Sequence, residues 1–223
     1  EAGGSIIQGG EVRTVLFDDG AGGEDPGEGS GDARHAAGVV VRIGGRNGEE
    51  RTFHTRELVG AGGYRCPAAH SVVESSYNEK MMDRDHYCGG YREYWRNVKG
   101  CESNSGDIEI HFVDTVIPGY LWLFPVSENV VNVGIGMVVG LLDKQKKKLK
   151  ALQADVIANH PMFKDRFAEA EMVPGSAKGW QLPFGSPRKK SSNHPRRSSM
   201  NGIRLVGDAA SLIDPFSGEG VGN

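Results

Sequence analysis

The run Ile203-Arg204-Leu205-Val206-Gly207-Asp208-Ala209-Ala210 places an acid at the end of a short apolar stretch that reads as a buried strand. At a strand end the Asp208 carboxylate can accept hydrogen bonds from a polyhydroxylated chain. Gly207 and Ala209 beside it are small enough for the backbone to approach a ligand closely. Asp214-Pro215 and Gly218-Glu219-Gly220-Val221 follow. Pro215 suits a turn or the first position of a helix. Gly218, Gly220 and Val221 then leave backbone N–H groups uncovered near an expected helix N-terminus, where the dipole favours negative charge. Gly-Asp-Ala-Ala alone reads equally well as a turn with no ligand. With Asp-Pro-Phe-Ser-Gly-Glu-Gly at this spacing, a ligand with hydroxyls at one end and an anionic edge at the other is the better reading.

A second group of residues carries no charge. Tyr120, Trp122 and Phe124 alternate and therefore share one face of a strand, which can be ordinary core or the lining of an apolar pocket. His86, His111 and His160 have no metal-ligand spacing, so no metal is expected, and no nucleophilic triad is visible. No residue is assigned as catalytic. Three cysteines without a Cys-x-x-Cys pair read as reduced thiols of a cytoplasmic protein. A net charge of −3 argues against a general nucleic-acid binder. No stretch approaches the roughly 18 apolar residues of a membrane span. Lys144, Lys146, Lys147, Lys148 and Lys150 read as a solvated face, with contact to anionic lipid headgroups as the alternative. Arg188, Lys189, Lys190, Arg196 and Arg197 lie in a basic polar linker, with a diphosphate or a membrane surface as their alternative partner.

The elements expected to position these residues are mostly strands. Residues 11–17, 39–43 and 51–59 are strand candidates, and the Gly- and acid-rich stretch between the first two is expected to be a mobile loop. Residues 86–98, 107–114, 120–125 and 130–139 read as an antiparallel meander, with residues 176–182 as a further strand. Residues 141–159 read as one helix with Leu142, Leu149, Leu152 and Val156 on one face, ended by His160-Pro161. The chain starts at Glu1 and stops at Asn223 inside a motif, so both ends are expected to be cut.

The 203–223 segment resembles the second flavin motif of the p-hydroxybenzoate hydroxylase-like superfamily. More narrowly, the chain is similar to the geranylgeranyl reductase family. Tyr120-Leu121-Trp122-Leu123-Phe124-Pro125, followed by Asn132-Val133-Gly134-Ile135-Gly136, matches that family's Y-x-W-x-F-P and N-V-G-x-G pattern. The resemblance runs over roughly residues 58–223. It implies an α/β FAD-binding fold with an α+β substrate domain and without its N-terminal βαβ unit: residues 1–66 and 186–223 as parts of the FAD domain, residues 67–185 as the substrate domain. It further implies a flavoprotein oxidoreductase of isoprenoid lipid metabolism, which reduces polyprenyl C=C bonds by hydride transfer from reduced FAD. The electron donor would be NAD(P)H or ferredoxin, and the substrate a prenyl lipid or prenyl diphosphate. Gly207, Asp208, Ala209, Pro215, Gly218, Gly220 and Val221 would then hold the flavin and its ribityl chain, and Tyr120, Trp122 and Phe124 would line a hydrocarbon tunnel. A flavin monooxygenase or halogenase on the same scaffold, or a non-catalytic prenyl-binding fragment, are the alternatives. Two departures stand out. Gly60-Ala61-Gly62-Gly63 replaces the superfamily's Gly-Ala-Asp-Gly, and no G-x-G-x-x-G opens a βαβ unit.

Overall fold

A computed structural model describes residues 3–18, 35–75, 79–101, 107–185 and 196–220. The chain divides into two compact units, Glu1–Met82 with Phe184–Asn223, and Asp83–Pro183. These compact units divide at 82/83 and 183/184, whereas the expected boundaries between the FAD and substrate domains are 66/67 and 185/186.

In the first unit, β1 (Gly10–Asp18), β2 (His35–Ile43) and β3 (Glu49–His54) form an antiparallel sheet. The single strand expected over 51–59 is two elements, because the chain bends at Thr55–Glu57 before β4 (Leu58–Gly60). There the Thr55 hydroxyl donates to the Glu57 carbonyl at 2.6 Å, and the bend frees β4 to join another sheet. A short helix α1 (Pro67–His70) follows, with Pro67 at its first position.

The second unit is a six-stranded sheet. It comprises β5 (Tyr87–Arg96), β6 (Glu109–His111), β7 (Tyr120–Ser127) and β8 (Val130–Val138), with two strands added from further along the chain. The expected meander is present, with β5 inserted beside β8. The expected 141–159 helix is broken into α2 (Val139–Lys144) and α3 (Leu149–Asn159). The break lies at Lys146, which has φ +53°, and Lys148 is extended. Five lysines within seven positions repel one another along a helix, and those at the start of α3 also oppose its dipole. Leu152, Val156 and Ile157 of α3 pack with Leu121, Leu123, Val133, Ile135 and Phe163 in the core of this unit. The strands β9 (Glu171–Met172) and β10 (Lys178–Pro183) both pair with β5.

The chain then returns to the first unit with β11 (Ser199–Met200) and β12 (Ile203–Leu205). β12 runs parallel to β4, with Leu205 opposite Gly60. A Cβ on Gly60 would come within 2.8–3.0 Å of Leu205, Ala68 and Cys66, so glycine is required there. Val72, Ile203, Leu205, Ala209 and Ala210 belong to the core of this unit. Among the described residues, no helix is long and apolar enough to cross a membrane.

Candidate functional site

The 203–220 segment leaves β12 through Val206 into a 3-10 turn at Gly207–Ala210. Gly207 has φ +55°, and nothing lies within 4 Å of a Cβ built on it, so its side is open. Asp208 is half-buried, and burial raises the pKa of its carboxyl. That is the state of an acid taken partly out of water without a cation beside it. Ala209 and Ala210 point into the core.

The turn is fixed from below. Ser211, at φ +55°, is fully buried, and its Oγ accepts from Arg196 at 2.9 Å. The same guanidinium donates to the Met81 carbonyl at 3.0 Å and the Lys80 carbonyl at 2.7 Å. Arg196, read in sequence as a linker cation, is therefore a buried tie. Arg197 is exposed, while Arg188, Lys189 and Lys190 lie outside the described residues.

Residues 214–219 close on themselves. The Asp214 carboxylate accepts from the Phe216 and Ser217 N–H groups and from the Ser217 hydroxyl, which holds its carboxyl below the usual range. The Asp214 N–H donates to the Glu219 carbonyl at 2.9 Å and Gly218 N–H to the Asp214 carbonyl at 2.9 Å. Pro215 sits in this turn, and Gly218 has φ +72°. A Cβ on Gly220 would lie 2.8 Å from buried Ile213 and 3.7 Å from the Asp208 carboxylate. Gly207, Asp208, Gly218 and Gly220 are thus parts of one small loop cluster. Asp214 closes a turn over residues 214–219, and the helix expected after Gly220 lies outside the described residues. Val221 lies outside the described residues. At Gly62, a Cβ would press on Cys66 at 3.2 Å, so this backbone leaves little space for the superfamily's acid.

The sheet of the second unit has a distinct open face. Cross-strand register gives it a row of Ile110, Trp122, Gly134, Arg92 and Lys178, and a second row of Tyr120, Gly136, Gly90 and Trp180. Tyr120, Trp122 and Phe124 are half-buried, with ring centroids 6.0 and 6.1 Å apart along the strand. The Trp122 indole lies over the β8 backbone, and a Cβ built on Gly134 would fall within its ring. Its Nε1–H donates to Asn132 Oδ1 at 3.2 Å. Asn132 and Gly134 were legible only as motif letters, and register shows what they do: they hold the ring flat. Burial, then the Cys88 thiol, raises the pKa of Tyr120, and burial pushes Cys88 up to about 11. Both are therefore protonated at neutral pH. Glycines at 90, 134 and 136 leave an apolar floor between Tyr120 and Trp180, and Trp180 is 62% exposed.

Two polar clusters lie on the other, helix-facing side of the sheet. Glu93 accepts from Tyr91 at 2.6 Å and from Trp95 and Gln153 at 3.2 Å. Burial first, then the Glu93 contact, pushes Tyr91 up to about 12. Glu109 takes two hydrogen bonds of 2.7 Å from Arg166 and lies 2.7 Å from His111 Nε2, and its pKa falls to about 2. Neither cluster opens on the aromatic face. Among the described residues, no group of His, Cys, Asp and Glu could hold a metal ion.

Residues 86–175 match the family model of the geranylgeranyl reductase catalytic domain. A digeranylgeranylglycerophospholipid reductase from Methanococcoides burtonii is 34% identical over 127 residues, 56% of this chain and 27% of that protein. The reductase of the same name from Methanococcus vannielii is 29% identical over 78% of this chain and 39% of its own length. The chain thus spans well under half of these relatives. Among solved structures, a geranylgeranyl bacteriochlorophyll reductase-like protein from Thermoplasma acidophilum superposes with TM-score 0.67 at 22% identity, over 96% of this chain and 45% of that one. The myxobacterial chondrochloren halogenase, a FAD-dependent enzyme, gives TM-score 0.63 at 26% identity, over 96% and 43%. The fold is that of FAD-dependent reductases, halogenases and monooxygenases, as the sequence implied. Over residues 86–175, in its second unit, the chain is similar to the geranylgeranyl reductase catalytic domain.

Proposed function

We propose that the chain is part of a FAD-dependent oxidoreductase that reduces C=C bonds of a prenyl lipid. The observation that carries this is a coincidence on residues 86–175: the match to a geranylgeranyl reductase catalytic domain falls on a sheet whose open face is aromatic and glycine-floored. A hydrocarbon offers no polar handle, so a flat apolar strip with few charges is the surface that fits it. Tyr120, Trp122 and Phe124 would lie along the chain, with Asn132 and Gly134 keeping the Trp122 ring flat.

The residues of the Gly207–Gly220 loop fit a flavin. Asp208 is a half-buried acid whose carboxylate accepts no hydrogen bond among the described residues, beside a glycine with open space. Asp208 would accept from the ribityl hydroxyls, and Gly207 and Gly218 would let the backbone come close; Pro215, Gly220 and Ala209 shape the loop that holds them. When bound, FAD supplies a hydride to one alkene carbon, while a proton reaches the other. The external donor would be NAD(P)H or ferredoxin, the site of action the cytoplasm or the inner face of a membrane.

Asp208→Ala tests the cofactor side. Losing a hydrogen-bonded carboxylate should weaken FAD binding by about 1.5–3 kcal/mol, roughly 10- to 150-fold, in a fluorescence titration. Unchanged affinity removes Asp208 from the site. Incubation with reduced FAD and geranylgeranyl diphosphate, read by mass spectrometry, tests the reaction: one H2 is gained for each double bond. Oxygen-dependent NAD(P)H consumption without prenyl reduction would move the reading to a monooxygenase or halogenase. Protein that binds prenol but never FAD would be a non-catalytic prenyl binder.

A further inference from the structure

The end of the second unit's sheet where β7 begins and β8 ends carries two features of opposite character. One is apolar. Phe112, 61% exposed, packs on Tyr120 with ring centroids 6.1 Å apart, and Ile117 on the following turn is 49% exposed. The other is basic. Lys146, Lys147, Lys148 and Lys150 are exposed around the start of α3. Lys147 Nζ donates to the Thr115 carbonyl at 3.2 Å, so the lysine loop lies directly against the turn that bears Ile117.

The neighbouring charges leave this cluster unbalanced. Asp143 pairs with Arg84, and Lys144 lies 3.9 Å from Asp85. Asp114 is exposed on the apolar turn itself. The four lysines from 146 on enter no ion pair among the described residues. Their position at the helix start is also unfavourable to α3. Apart from the Lys147 hydrogen bond to Thr115, no side-chain hydrogen bond or ion pair of theirs is seen among the described residues.

We propose that residues 112–117 and 146–150 form a docking edge for an anionic lipid bilayer, with Phe112 and Ile117 entering the interface and the lysines meeting the headgroups. Charge complementarity decides for a membrane. Apolar side chains flanked by lysines that enter no ion pair suit a surface that is negative outside and hydrocarbon beneath. Burying four such lysines in a protein interface would cost more than Phe112 and Ile117 return. The edge adjoins Tyr120, so a prenyl chain leaving the bilayer would meet the aromatic face first at its end. In this respect the proposal rests on the prenyl reading above.

Co-sedimentation of the chain with phosphatidylglycerol–phosphatidylcholine vesicles tests it, with phosphatidylcholine vesicles alone for comparison. Each lysine near such a surface should contribute roughly fivefold, so Lys146→Gln, Lys147→Gln and Lys148→Gln together should cut binding roughly a hundredfold, as should raised salt. These side chains are exposed, and circular dichroism verifies that the fold is kept. Phe112→Ser should weaken binding without changing its salt dependence. Lys178→Gln, on β10 at the opposite edge of the sheet, should change nothing. Equal binding to neutral vesicles, equal loss with Lys178→Gln, or heparin binding without vesicle binding would overturn the proposal. Trp122→Ala separates the two readings. It should weaken binding of a soluble uncharged prenol roughly tenfold and spare vesicle docking; an unchanged prenol affinity sinks the prenyl reading and leaves the docking edge standing.

Discussion

The two faces of the six-stranded sheet are made of alternate residues of the same strands. On the helix side, Leu121, Leu123, Val133 and Ile135 are at most 1% exposed and interlock under α3. On the open side, Tyr120, Trp122 and Phe124 alternate with them yet stay half-buried, and β8 offers Asn132, Gly134 and Gly136 where the helix side has Val133 and Ile135. Branched aliphatic side chains fill one side to core density. Flat rings over glycine leave the other shallow and smooth. Close packing removes all the space it can on one face, whereas glycine opposite an aromatic ring keeps the other shallow, as the proposed prenyl-binding role requires.

The difference between the faces should appear in substitutions one residue apart. Leu123→Ala creates a cavity in the closed side and should cost about 2–5 kcal/mol in urea unfolding. If it costs no more than Trp122→Ala, the two faces are energetically alike and the comparison fails. Gly134→Val pushes a side chain into the space of the Trp122 ring and should destabilise by about 1–3 kcal/mol, with Trp122 fluorescence shifted as the indole leaves Asn132. Combining it with Trp122→Ala should recover most of that loss, a double-mutant signature that a simple strand-propensity effect would lack.

Trp122→Ala itself should affect binding more than folding. Removing about 60 Å2 of apolar contact at about 25 cal/mol per Å2 is about 1.5 kcal/mol, roughly a tenfold weaker prenol affinity by titration. The smallest effect is expected at the polar rim of the closed side. The Arg166 hydrogen bonds lower Glu109 from an ordinary 4.5 to about 2. A depressed acid contributes stability that is complete above pH 4.5 and is lost as pH falls toward 2. Glu109→Gln should therefore flatten the melting temperature against pH in that window and leave it nearly unchanged in slope near neutrality.

The strands of the second unit were legible in sequence because β-branched and aromatic runs between turn residues declare a period of two, and the alternation at residues 120–124 fixed which residues share a face. Gly-Asp after an apolar run likewise marked the 207–210 turn. The sequence also marked the lysine run at 144–150, but read it as part of one helix. Only the folded chain shows the helix interrupted at Lys146, since the periodicity of Leu142, Leu149, Leu152 and Val156 survives a break while like-charge repulsion accumulates locally. The interior of residues 51–59 gave no sign of the bend at Thr55, because the partner that draws β4 away is β12, more than a hundred residues later. Arg196 looked like a linker cation for the same reason: its acceptors at Lys80, Met81 and Ser211 are distant in sequence and adjacent only in space. Residue type and period are local properties and survive in the sequence. Which carbonyl satisfies a buried guanidinium, and which glycine makes room for a particular ring, are decided by pairings between distant segments, and these exist only once the chain has folded.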